Sequence, residues 1–171
     1  MHIMTPDVLD FSDFSDSRNC VCFNLRRVAR VVTHLFDAEM RRHGIRSTQG
    51  SVLFALHATT GPSNMAELSE VLGMERTTLL RNLRPLQRDG LVTVEGGGQG
   101  GYVKLSLSAK GRKQIERMAP AWKSAQSTAV QVLGEERWSA LLGDLEKVAS
   151  ALNIKKKAPT LHPQHGAHHH E

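Results

Sequence analysis

Asn64 to Val94 reads NMAELSEVLGMERTTLLRNLRPLQRDGLVTV, and this stretch decides the fold. Asn64 is a favourable N-cap with Glu67 three residues later, a capping-box pattern. The spacing predicts a short helix from about Met65 to Leu72, with Leu68, Val71 and Leu72 on one face. Gly73 suits the left-handed position that ends a helix. A second helix begins near Glu75 and turns Leu79, Leu80, Leu83 and Leu86 inward. Two short helices hinged at a glycine, the second rich in Arg and Thr, describe a helix-turn-helix. Asp89-Gly90 closes it. Leu91 to Val94 and Tyr102 to Leu107 then read as two strands around the glycine-rich turn Glu95–Gly101, a β-hairpin wing.

Working outward, Asn19 to Arg42 carries Leu25, Val28, Ala29, Val32, Leu35, Phe36 and Met40 at helical spacing. Ser47 or Thr48 is expected to cap a further helix containing Val52, Leu53 and Leu56, which stops at Thr60-Gly61-Pro62. Beyond the wing, Ser108 caps a helix with Ile115, Met118, Trp122, Ala125, Ala129 and Val132 in phase, and Pro120 is expected to kink it. Gly134 breaks the chain. Glu135 to Leu152 then shows a stripe of Trp138, Leu141, Leu142, Leu145, Val148, Ala149 and Leu152.

The expected fold is mainly α with a small β-hairpin wing, a winged helix-turn-helix flanked by long dimerisation helices. Its parts are an N-terminal arm (1–18), dimerisation and support helices (19–60), the winged region (61–108), C-terminal dimerisation helices (109–154) and a disordered basic, His-rich tail (155–171). Apolar helix faces at both ends exceed what the small central core needs, so a homodimer is expected to bury them.

Composition narrows the function. With 171 residues the chain can bury a real core, and 5% aromatics means that core rests on Leu, Val and Ala. A net charge of +5 favours a polyanionic partner. No apolar run approaches the roughly 20 residues of a membrane span, and the acidic N-terminus is unlike a signal peptide, so a cytoplasmic location is expected. Two cysteines so close together are no disulfide framework. No glycine-rich phosphate loop follows a strand and no Ser, His, Asp grouping has motif context, so no enzymatic activity is expected. No metal or cofactor is expected either. His162, His165, His168, His169 and His170 form a tail tract rather than a spaced ligand set.

Arg76, Thr77, Thr78, Arg81 and Asn82 fall on the first two turns of the second motif helix. Arg can bond guanine at two points, Asn can do so for adenine, and Thr can meet a thymine methyl. Ser63, Asn64, Arg84 and Lys104 are placed for phosphates, which fix register without reading sequence. The implied partner is double-stranded DNA carrying a pseudo-palindromic operator.

From about Cys20 to Leu152 the layout resembles the MarR family of bacterial regulators, carried by MAELSEVLGMERTTLLRNLRPLQRDGLV (65–92) and by TQGSVLFAL (48–56). The resemblance implies a triangular homodimer with intertwined terminal helices, usually a repressor released by a small molecule or an oxidant. The family's wing tip commonly holds an Asp and an Arg, the latter entering the minor groove. Here the tip is uncharged, GGGQGG (96–101), so Gln99 or Lys104 would substitute. Pro85 lies within the recognition helix and is expected to bend it.

Two regulatory sites follow from the resemblance. NCVCFNL (19–25) resembles the first helix of OhrR-type members, which sense organic hydroperoxides. Cys22 takes the place of the reactive thiol there, and Cys20 would resolve it. Arg26 and Phe36 stand where those members place tyrosines, and inert, buried cysteines are the other reading. The second site is a pocket for a small aromatic effector, walled by Phe36, His57 and Trp122. A winged-helix interaction module without DNA binding is a further alternative, suggested by the uncharged wing.

Overall fold

The computed structural model describes residues 20–59, 63–96 and 103–157. The arm (1–18), Thr60-Gly61-Pro62, the wing tip with Gln99, Tyr102 and the histidine tract lie outside these residues. The chain divides into two compact units, up to Ser127 and from Thr128 onward.

The first unit opens with α1 (Val21–Met40), which tightens into a 3-10 turn at Arg41–His43 and ends on Gly44 at φ 69°. α2 (Ser47–Ala58) follows. Its N-cap position is Arg46, not Ser47 or Thr48 as the sequence suggested. Two other groups cover its first amides. The Gln49 side chain accepts from the Arg46 N–H at 3.0 Å, and Asp37 on α1 accepts from the Ser47 N–H at 2.6 Å. A carboxylate ten residues upstream thus caps α2, a tertiary device that local propensity does not reveal.

α3 (Met65–Leu72) and α4 (Arg76–Arg88) form the helix-turn-helix. The capping box is present: Asn64 Oδ1 accepts from Ala66 N–H (2.9 Å) and Glu67 N–H (3.0 Å), and Glu67 accepts from Asn64 N–H (3.1 Å). Gly73 takes φ 60°, and its N–H and that of Met74 satisfy the last carbonyls of α3. α4 buries Leu79, Leu83 and Leu86, whereas Leu80, expected inside, is 37% exposed. Pro85 is carried within α4 without ending it, and the Asp89 N–H bonds the Pro85 carbonyl at 2.9 Å.

The wing is β2 (Val92–Glu95) antiparallel to β3 (Lys104–Leu107), with Val92 opposite Leu107 and Glu95 opposite Lys104. A two-residue strand, β1 (Ser63–Asn64), pairs with the far side of β3 and completes a sheet in the order β1-β3-β2. Nothing in the sequence pattern announced β1. Leu91 remains outside the strand, buried and bonded through its N–H to the Leu86 carbonyl.

α5 (Ala109–Leu133) starts where Ser108 Oγ accepts from Gly111 N–H at 2.9 Å and donates to the Gly90 carbonyl at 2.7 Å. One continuous core joins these elements through Met40, Leu53, Leu68, Leu79, Leu86, Leu105 and Met118. Each leucine so buried contributes about 1.5–3 kcal/mol relative to exposure. The central residues of α2 are buried or half-buried, so this helix serves as the unit's axle.

The second unit holds the end of α5 and α6 (Glu135–Lys157), separated at Gly134 with φ 80°. α6 extends beyond Leu152 and takes in the Lys155–Lys157 run assigned to the tail. Its stripe lies open in the single chain: Leu142 is 48% and Leu152 61% exposed.

Candidate nucleic-acid interface

The face of α4 opposite Leu79, Leu83 and Leu86 carries Thr77, Arg81, Arg84 and Arg88, because residues three and four apart stack on one side of a helix. All four are exposed. Arg88 bonds Asp89 at 3.0 Å, and that hydrogen bond and charge hold its guanidinium above its ordinary pKa. Arg76, Arg81 and Arg84 have no ion pair among the described residues. The outer face of α4 therefore keeps Arg81 and Arg84 without an ion pair among the described residues, with Arg76 and Thr78 on its flanks.

Asn82 is placed differently. It is half-buried and turned toward α2, where its Oδ1 accepts from Thr48 Oγ1 at 3.0 Å while its Nδ2 donates to the Thr78 carbonyl at 3.0 Å. Ser63 is buried in β1 at 4% exposure. Asn64 commits its side-chain oxygen to the cap of α3. Lys104 is exposed in β3, between Asn64 and Glu95 on the neighbouring strands. Of the residues chosen from sequence, the structure gathers Arg76, Thr77, Thr78, Arg81 and Arg84 on one exposed surface. Ser63, Asn64 and Asn82 are occupied in the scaffold.

A separate cleft of about 240 Å³ lies between α1, α2 and α5. Phe36 and Trp122 line it, joined by Val32, Met40 and Phe54. Phe54 meets Trp122 edge-on, with ring centroids 5.7 Å apart at 61°. The polar lining is four hydroxyls: Thr33, Ser47, Thr48 and Ser51. Ser47 Oγ is buried with no hydrogen-bond partner among the described residues. His57 does not line this cleft and is exposed. The stripe of Ser47, Ser51 and Phe54 continues at Ala58, and His57 falls about a quarter-turn away. Phe54 was the missed wall, legible only as an aromatic amid an apolar helix.

Cys20 and Cys22 are both exposed rather than buried. Cys20 is the N-cap of α1, in extended backbone, and its Sγ accepts from the Phe23 N–H at 3.5 Å.

Residues 45–93 match a family model described as winged helix-turn-helix DNA-binding. The chain is also similar to the M. tuberculosis transcriptional regulator MosR, solved in complex with DNA. Identity is 33% over 79% of this chain and 97% of that one, with a TM-score of 0.69. This chain belongs to the MarR family. It is a winged-helix, DNA-binding transcriptional regulator, and the family is not one of enzymes. The fold is shared with a MarR-family regulator from Rhodococcus sp. RHA1 (17% identity, 79% and 94% covered, TM-score 0.68). It is shared also with CouR from Rhodococcus jostii RHA1 bound to p-coumaroyl-CoA (16% identity, 77% and 93% covered, TM-score 0.67). No curated protein matches the sequence significantly. Among the described residues no helix is long and apolar enough to cross a membrane.

Proposed function

We propose that this MarR-family chain is a homodimeric repressor that reads a pseudo-palindromic operator with α4 and releases it when a small aromatic ligand fills the Phe36–Phe54–Trp122 cleft. The carrying observation is the outer face of α4, where Thr77, Arg81 and Arg84 stand exposed opposite three buried leucines. Arg81 and Thr77, with Thr78 and Arg76 beside them, are the base-reading set, and Arg84 and Lys104 take phosphates. Homodimer formation is supported by apolar side chains exposed on α1 (Val21, Phe23, Leu25, Val28, Val31) and on α6. The cleft's aromatic walls and hydroxyl donors suit a planar ligand with a polar substituent, and CouR offers a precedent for an aromatic ligand on this fold.

The test is fluorescence anisotropy against a duplex enriched by the protein from a random library, at several salt concentrations. Tight binding that weakens steeply with salt is expected, because neutralised phosphates release counterions. An enrichment that yields no duplex, or binding indifferent to salt, defeats the reading in favour of a protein-interaction module.

A second reading concerns the stimulus: the exposed Cys20 and Cys22 at the start of α1 act as a peroxide sensor. The Cys22 thiolate attacks a hydroperoxide, giving a sulfenic acid and an alcohol. The Cys20 thiol then displaces water to form a disulfide. Because Cys20 is the N-cap and lies outside the helical turn, closing the bridge needs only the first turn of α1 to open. Oxidant should release DNA from the wild type and leave Cys22→Ser bound. Release that persists in Cys22→Ser excludes this route.

A further inference from the structure

α4 carries a large apolar side chain that the core does not take. Leu80 is 37% exposed and stands outside the continuous core that holds Leu79, Leu83 and Leu86. A helix turns about a hundred degrees per residue, so Leu80 leaves the buried stripe and stacks instead with residues three and four away. On that side these are Arg76, Thr77 and Arg84, all exposed. Leu80 therefore borders the outer face of α4, with a guanidinium one turn before it and another one turn after. No other large hydrophobic on α4 is exposed. The patch is a single isobutyl group framed by charge.

That setting selects the partner. An apolar helix seated on Leu80 would also cover Arg76 and Arg84, which have no ion pair among the described residues, and burying an unpaired charge is costly. The major groove of DNA answers both needs. Its phosphates meet the arginines, and its base edges meet the side chain between them. On those edges the apolar group is the C5 methyl of thymine. Leucine has nothing to donate or accept. Set against a purine N7 or a cytosine amino group, it displaces water and returns no hydrogen bond.

We infer that Leu80 is a specificity-determining residue that reads a thymine methyl in each operator half-site. The inference rests on the DNA-binding reading above and adds a contact that works by excluding water. Thr77 and Thr78 also carry methyl groups, so the assignment needs each side chain removed in turn.

The experiment starts from a duplex enriched by the full-length protein from a random library. Each thymine is then replaced singly by deoxyuridine, which removes the C5 methyl and leaves every hydrogen-bonding group of the base in place. The wild type is expected to lose roughly 3- to 5-fold in affinity at one thymine of each half-site, the worth of one buried methyl. Leu80→Ala should bind the unmodified duplex more weakly and lose nothing further at that thymine, whereas Thr77→Ala and Thr78→Ala should still show the loss. Leu80→Ala keeps its fold, because the core does not use this side chain. A denaturant midpoint lowered as far as for Leu79→Ala would return Leu80 to the core and overturn the inference. So would an equal deoxyuridine loss in the wild type and Leu80→Ala, which assigns the methyl to another residue. So would a duplex indifferent to every replacement. A wild type that enriches no duplex defeats DNA reading itself and this inference with it, a result distinct from those three.

Discussion

Arg81 and Asn82 are neighbours in sequence and opposites in setting. One residue is a step of a hundred degrees around the helix, enough to carry Asn82 from the open face to the α2 contact while Arg81 stays outside. Residue type alone gave both the same reading, and only the neighbouring helix distinguishes their surroundings. The same holds for Ser63 and Asn64, polar residues spent on a strand and a cap. Arg81→Ala is accordingly expected to weaken operator binding roughly 5- to 150-fold, the worth of about 1–3 kcal/mol for a bidentate contact, with little change on random duplex. Arg84→Ala should weaken both duplexes alike and reduce the salt slope by about 1. Anisotropy titrations on the two duplexes across a salt series check both, and a uniform loss for Arg81→Ala would remove it from the reading set.

At the scale of elements, α3, α4 and the wing were legible because each carries its own signal: a capping box, a glycine stop, leucines in phase. What could not be read depends on partners distant in sequence. β1 has two residues and no period of its own, existing only because β3 lies beside it. The start of α2 is set by Asp37 of α1 rather than by its own Ser or Thr. Two variants test these parts. Asn64→Ala removes the acceptor of two amides at the head of α3 and should cost about 0.5–2 kcal/mol in a denaturant melt. Gly111, in the first turn of α5, lies so near the Leu91 carbonyl and Leu107 that a methyl has no room, and backbone cannot step aside. Gly111→Ala should cost about 1–3 kcal/mol as overpacking. Gly50→Ala is the milder comparison, since it meets the flexible ends of Met40 and Met118. A Gly111→Ala protein as stable as the wild type would show that α5 docks on the wing more loosely than this.

At the scale of the whole molecule, the distribution of apolar surface constrains how DNA can be held. The helix-turn-helix is self-sufficient, its leucines covered by α2, β3 and α5. α6 is not: Leu141 is 37%, Leu142 48%, Leu145 36% and Val148 46% exposed. Fully burying a leucine or valine contributes about 1.5–3 kcal/mol, so three leucines and a valine left part-exposed are a strong drive toward a second copy. Terminal helices whose apolar stripes go uncovered in one chain, beside a DNA-binding unit that is complete, are the arrangement expected of a two-fold dimer with two recognition helices. Leu142→Glu with Leu145→Glu should then give a monomer in sedimentation equilibrium. Its helix-turn-helix should still melt cooperatively, because its core makes no use of these side chains. Operator affinity should fall by orders of magnitude, since two half-sites no longer engage as one, while weak binding to random duplex through Arg84 and Lys104 survives. A double variant that stays dimeric would move the dimer contact to the apolar face of α1, where Val28 and Val31 are the next residues to change.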